Sequence, residues 1–187
     1  LVTKYLADFG AQVVRVESIL HPGSVRLSAP YKDRKPGINR SGYFAYLNAN
    51  KYDMALNLDH PLGVNVAKKL IAWSDVVAES FAPGVMERYG LGYEDIKQIK
   101  PDIIMFRTST QGQTGSYANH PGFGYQAAGF AGFPLVTGQT NGLPLPIPLA
   151  YTDFIAFEFG ASALIAALIQ RKRKGKGVCL DLSQIEA

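Results

Sequence analysis

The chain has 187 residues, 47% of them hydrophobic, and a formal net charge of +4. That length and apolar share suit one globular unit with a real core, and the mild positive charge excludes neither solubility nor a small polyanionic ligand. The single Cys179 excludes an intrachain disulfide and a cysteine-rich metal site, and fits a reducing, cytoplasmic setting.

Helical spacing of Leu1, Val2, Tyr5, Leu6 and Phe9, with Gly10 as a stop, predicts a first helix. "AQVVRVES" reads as a buried strand, and the polar, Pro/Gly-rich residues 21–42 read as a long loop. "DMALNLD" reads as a short strand, and His60-Pro61 opens a helix that runs to about Trp73. "SDVVAES" is a further strand. "FAPGVMERYGLGYEDIKQIKP" reads as two short helices hinged at Gly90 and Gly92. "DIIMFRTS" is a core strand, followed by a Gly-rich loop and a small-residue helix over Gln126–Phe133. A Pro-rich link leads to Asp153, then come a long apolar helix and the strand "GVCLDLS". The terminal "LSQIEA" looks like the opening of another helix, and the chain is expected to be a segment of a longer protein.

Strands that are near-continuous apolar runs, alternating with helices, predict an α/β fold: a Rossmann-like parallel sheet with helices on both faces. No apolar stretch reads as long and clean enough to cross a bilayer, and no signal-peptide pattern opens the sequence. The cations are scattered apart from Arg171–Lys176 and match no nucleic-acid signature. Neither nucleic acid nor membrane is therefore expected as a partner.

One carboxylate stands out. Asp153 sits at the mouth of the long apolar helix. Thr152 or Asp153 could cap that helix, because a side-chain oxygen there satisfies free N–H groups. A helix N-terminus also favours an anion, and an ionised carboxylate can act as a nucleophile, so both readings stand. Glu158 lies five residues on and faces another way, so it reads as no partner acid. "RKRKGKG" reads as a solvated tail that complements the helix dipole, with a phosphate patch as the weaker alternative. Ser80-Phe81 ends a strand on the edge where open α/β sheets bind ligands, and Arg88 follows it. "TQGQTGS" matches neither a P-loop nor a dinucleotide fingerprint. His21, His60 and His120 lack metal-ligand spacing, and no G-x-S-x-G is present.

Four stretches in order resemble the class III CoA-transferase family (the CaiB/BaiF, or formyl-CoA transferase-like, family). "LADFGAQVVRVES" is similar to the family's "LADLGADVIKVE", and "NANKYDMALNLDHPLG" to its "N-x-NK-x-x-x-x-LDL" segment. "VVAESFAPGVMERYGLGYEDIKQIKPDIIMFRTSTQGQTGSY" resembles its most recognisable stretch. "IPLAYTDFIAFEFGASALIAALIQRKRKGKGVCLDLSQIEA" resembles the segment carrying its catalytic aspartate.

The resemblance implies that Asp153 is the nucleophile. It would take the acyl group of an acyl-CoA as a mixed anhydride, then become an aspartyl-CoA thioester, and pass CoA to an acceptor carboxylic acid. CoA is then a substrate, and neither a metal nor a tightly bound cofactor is needed. The resemblance also implies CoA contacts at Ser18, Leu56, Asn57, Ser80, Phe81, Ala82 and Arg88, with Gly122, Phe123, Gly124 and Tyr125 near the thioester. Ser18 and Ala82 depart from the larger or basic residues often found there. Members are interlocked homodimers with a large and a smaller domain. The chain is expected to be most of the large CoA-binding domain, truncated at both ends, with the smaller domain outside it and no activity on its own. The alternatives are a 2-methylacyl-CoA racemase of the same fold, whose histidine would align at Phe123, and a non-catalytic CoA-binding subunit.

Overall fold

The structure is a computed structural model that describes residues 1–187. It is α/β, and every strand pairing within its sheets is parallel. The chain divides into two compact units, Leu1–Ala67 and Lys68–Ala187, with the boundary inside one helix.

The first unit holds α1 (Val2–Asp8), β1 (Val13–Glu17), α2 (Gly42–Leu47), β2 (Lys51–Ala55) and the start of α3 (Pro61–Trp73). β1 and β2 pair in register from Val13↔Lys51 to Glu17↔Ala55, and Leu56 N–H extends the ladder by donating to Glu17 O at 2.8 Å. β2 thus starts two residues before the expected strand and stops at Ala55. The expected loop over 21–42 contains two short 3₁₀ turns, Ser24–Leu27 and Lys32–Arg34. α2 was not legible in the sequence. Ser41 caps it by accepting from Phe44 N–H at 3.0 Å, and the same hydroxyl donates to Val25 O. Arg26 then lies over the Phe44 ring, 3.7 Å from its centroid, and pairs with Glu17 and Asp53. The long connection is thereby fastened to the strands.

The second unit holds the rest of α3, then β3 (Val76–Glu79), α4 (Val85–Arg88), α5 (Tyr93–Ile99), β4 (Ile104–Ser109), α6 (Gly124–Phe130), α7 (Phe133–Val136), α8 (Tyr151–Lys174) and β5 (Cys179–Ser183). Its sheet runs in the order β3-β4-β5. β4 is central, so Ile104, Met105 and Phe106 are buried, each removing about 1.5–3 kcal/mol of apolar surface from water. The expected helix over Gln126–Phe133 is two helices. α6 begins earlier because Gln126 is its third residue, with Oε1 accepting from Phe123 N–H at 2.9 Å. It ends because Gly132 takes φ +83°, a left-handed turn that separates α6 from α7. The terminal "LSQIEA" forms the end of β5 and a turn rather than a helix.

α8 corrects two expectations. Its N-cap is Ala150, which makes no side-chain cap, so neither Thr152 nor Asp153 caps it and both lie in its first turn. Its apolar window also has the length and hydropathy that a bilayer span needs, with a mean hydropathy of 1.6. Between Tyr151 and Gln170 only Asp153 and Glu158 are charged, which is why the run passes that test. In the structure Thr152, Ala156, Gly160, Ala161, Leu164 and Ala167 are buried, one stripe at helical spacing, as in a core helix. At its C-terminal end Arg171 donates to the backbone oxygen and carboxylate of Asp75, at 3.1 and 2.8 Å. The cationic run there begins with a structural ion pair.

Candidate active site around Asp153

Parallel strands leave all their C-terminal ends on one edge. In the second unit those ends are Glu79, Ser109 and Ser183, and the loops that follow them carry the candidate residues. The β4–β5 pairing continues past the strands, with Gln184 N–H donating to Ser109 O and Ile185 N–H to Thr110 O. This carries Gln184 to the same edge.

Asp153 meets that edge from the first turn of α8. Thr152, 2% exposed, donates its hydroxyl to Gly124 O at 3.1 Å. The carboxylate of the next residue, Asp153, lies against Gly124, and the Gln184 side chain and the Gly124 backbone N–H both favour its charged form. The N-termini of α6 and α8 are therefore joined by the Thr152 bond to the Gly124 carbonyl and by the Asp153 carboxylate packed on the same glycine. A β-carbon at residue 124 would lie 2.5 Å from Asp153 Oδ2 and 2.8 Å from Ala150 Cβ, so only glycine allows this approach.

Burial pushes the Asp153 carboxyl above its ordinary value of 3.8, while the neighbouring Gln184 side chain and Gly124 N–H pull it back. The long α8 also places its positive dipole end at this carboxylate. The result is a partly desolvated carboxylate with a defined direction. Such a group is more nucleophilic in its ionised form than a fully hydrated carboxylate.

Phe123 and Tyr125 flank Gly124 and are largely exposed, and Gly122 lies beside Thr110. They are aromatic walls next to the carboxylate. His120 sits edge-on to the Phe130 ring, with centroids 5.1 Å apart. Glu158 is exposed and turns away from Asp153, as expected. Two shallow concavities of about 410 and 390 Å³ lie along residues 135–144 and beside Tyr151–Glu158, and Asp153 lines neither. Burial and the close approach of Gly124, rather than concavity, single out Asp153.

Ser80, Phe81 and Ala82 leave β3 on the same edge and are exposed. Both backbone groups of Phe81 are committed: its N–H donates to Glu79 Oε2 at 2.6 Å, and its O accepts from Gln113 Nε2 at 3.4 Å. The ring remains presented to solvent. Arg88 is exposed at the end of α4.

In the first unit Ser18 directly follows β1, and Leu56 and Asn57 directly follow β2, so the three gather at the C-terminal edge of that sheet. Ser18 Oγ accepts from Leu20 N–H at 3.1 Å, and Asn57 Oδ1 accepts from Asp59 N–H at 3.0 Å. Both side chains shape the turns that end their strands.

Sequence reasoning did not single out Gln184, and it named Thr152 only as a candidate helix cap. The available signal was position: Gln184 is the first polar residue beyond a parallel strand's C-terminal end, but a helical reading of "LSQIEA" hid it.

The profile of CoA-transferase family III matches residues 1–187. The chain belongs to CoA-transferase family III. It is 36% identical over 186 residues to the succinyl-CoA:glutarate CoA-transferase of Mus musculus, covering 99% of this chain and 42% of that protein. It is 35% identical over 183 residues to the succinyl-CoA–D-citramalate CoA-transferase of Chloroflexus aurantiacus, covering 97% of this chain and 44% of that protein. Among solved structures it is similar to a CaiB/BaiF family protein from Brucella suis, with a TM-score of 0.90 at 30% identity, over 99% of this chain and 49% of that one. The family III chain described here thus spans less than half the length of these relatives.

Proposed function

We propose that the protein of which this chain forms part moves CoA from an acyl-CoA to an acceptor carboxylic acid, with Asp153 as the covalent carrier. The observation that carries this reading is the close approach of a partly buried Asp153 carboxylate to Gly124 at the C-terminal edge of a parallel sheet in a family III chain. Asp153 Oδ attacks the thioester carbonyl and CoA thiolate leaves, giving an acyl-aspartyl anhydride. The thiolate returns to the aspartyl carbonyl, forming aspartyl-CoA and releasing the first acid. The acceptor carboxylate attacks that thioester and the thiolate leaves again, giving a second anhydride. Attack of thiolate on the acceptor's carbonyl then forms the new acyl-CoA and restores Asp153. Each step exchanges one acyl bond for another with no net proton transfer, so a single carboxylate suffices. The Gly124 N–H and Gln184 amide would hold the carboxylate for attack and meet negative charge on the tetrahedral adducts.

Under this reading CoA lies along Ser80, Phe81 and Ala82, with Arg88 available to a phosphate and Gly122–Tyr125 beside the acyl group. Ser18, Leu56 and Asn57 are candidate contacts on the family resemblance alone, and the enzyme works as a homodimer. The names of the relatives pair succinyl-CoA with a dicarboxylic acid, so that donor and such acceptors are the substrates to try first. A racemase needs a proton carrier beside Asp153. Phe123 cannot be one, and His120 packs on Phe130.

Isotope transfer tests the reading. Full-length protein, succinyl-CoA and a dicarboxylic acid labelled with ¹⁸O in its carboxylates are incubated together, and the released succinate is weighed. Asp153 would take one labelled oxygen from the acceptor and hand it to succinate in the next turnover. Transfer of CoA with unlabelled succinate would exclude the aspartyl route.

A further inference from the structure

The segment from Ser80 to Arg88 carries the candidate nucleotide-end contacts, and it is fastened from below by a side chain that touches none of them. Arg107 stands on the central strand β4, paired in register with Glu79 on β3. Its Nε donates to Glu79 Oε1 at 2.6 Å. The other Glu79 oxygen accepts from Phe81 N–H at 2.6 Å. The two terminal guanidinium nitrogens donate to the two oxygens of Glu87, at 2.6 and 3.2 Å. Glu87 immediately precedes Arg88 on α4. One guanidinium therefore holds both ends of the segment: the Phe81 backbone through Glu79, and the Arg88 turn through Glu87.

This is an unusual way to fix a surface segment. Taking a guanidinium and a carboxylate out of water is costly, and a well-packed apolar pair would serve stability as well. The side chains of Arg107 and Glu79 are nonetheless 9% and 2% exposed. What an apolar pair could not supply is direction. The planar fork offers donors to two carboxylates at fixed angles, and an ammonium cannot reproduce that.

We propose that Arg107 is a positioning residue for CoA: through Glu79 and Glu87 it sets the spacing between the Phe81 turn and Arg88, without touching the ligand. This rests on the CoA reading of residues 80–88. Loss of the clamp loosens the nucleotide end of the ligand and leaves the chemistry at Asp153 intact.

The test uses full-length protein and two donors: succinyl-CoA, and the matching succinyl-pantetheine thioester, which lacks the nucleotide. Arg107→Lys keeps the charge but not the fork. Glu87→Gln breaks only the α4 arm at a half-exposed site, so it folds even if Arg107→Lys does not. The expected result for each variant is a KM for succinyl-CoA raised about tenfold, with kcat within about twofold and the pantetheine thioester's kinetics unchanged. Folded variants whose KM for succinyl-CoA stays within about twofold of the parent would overturn the proposal. Equal losses on both donors would do so too, since they would assign Arg107 to general stability. If the parent protein transfers CoA and the variants match it, only the clamp is refuted. A parent that neither binds CoA nor transfers it would refute the CoA reading and the clamp with it.

Discussion

Gly124 and Asp153 approach so closely that a β-carbon on the glycine would stand 2.5 Å from the aspartate's Oδ2. The surroundings are polar as well as close, because the Gly124 N–H favours the charged carboxylate and the Gly124 carbonyl accepts from Thr152. A methyl group at residue 124 must therefore push the carboxylate out of its position. Gly124→Ala is expected to lower kcat by about 10²-fold or more, as a misplacement of about 1 Å at a reacting group does. Steady-state kinetics on the full-length variant check this, with circular dichroism to establish that it folds.

The Asp153 carboxyl sits above its ordinary value because it is buried, and Gln184 holds part of that rise back. As the proposed nucleophile, Asp153 must be ionised, so kcat/KM should fall as pH drops, with a midpoint above 3.8. Gln184→Leu removes an amide that favours the charged form, so the midpoint should move to higher pH. A pH–rate profile of the two proteins reads this directly. An unchanged midpoint would separate Gln184 from the carboxylate.

A raised carboxyl also bears on stability. The folded state holds this proton more tightly than the unfolded chain does. The associated stability is present below the unfolded value near 3.8 and is lost as pH rises through the folded value. Asp153→Asn removes that loss at neutral pH. The variant should lose about 10⁴-fold or more in activity. Its Tm at pH 7 should equal or exceed the parent's, with the gap closing below the unfolded value. A lower Tm at pH 7 would mean that the carboxylate stabilises the helix terminus.

The Arg107 clamp makes a different stability prediction. Arg107→Met strands the buried Glu79 carboxylate, at a cost of about 3–5 kcal/mol. Removing that carboxylate too, in Arg107→Met/Glu79→Leu, should recover more than half of the loss. Glu87 behaves in the opposite sense to Asp153. Arg107 holds its carboxyl below the usual 4.5, so the pair's contribution is full above that value and fades as pH falls through the folded value. Glu87 is half exposed, so the contribution is under about 1 kcal/mol. Denaturant melts at pH 7 and at acid pH, on the parent and Glu87→Gln, give both numbers.

Much of this architecture was legible in the residues. The apolar runs around Val14, Val77 and Ile104 gave the parallel strands, and Pro61 and Gly90 gave helix boundaries, because local chemistry dictates both. Asp153 drew attention as a lone acid at the head of an apolar helix. α2 was hidden because its cap, Ser41, lies inside a polar stretch and its helix is only six residues long. The start of α8 was misplaced by two residues because Ala150, with no capping side chain, opens it. The Asp153 surroundings and the Glu79–Arg107–Glu87 clamp join residues far apart in the chain. Strand register sets Glu79 beside Arg107 and helix packing brings in Glu87 and Asp153, and neither is written in any one segment.

The most direct test of the account is the mass of the peptide that contains Asp153. Full-length protein is mixed with succinyl-CoA, quenched in acid and digested, and the same is done with Asp153→Asn. The account predicts a succinyl or CoA adduct on that peptide in the parent protein and none in the variant. CoA transfer proceeding with an unmodified Asp153, or an adduct that survives in Asp153→Asn, would contradict it.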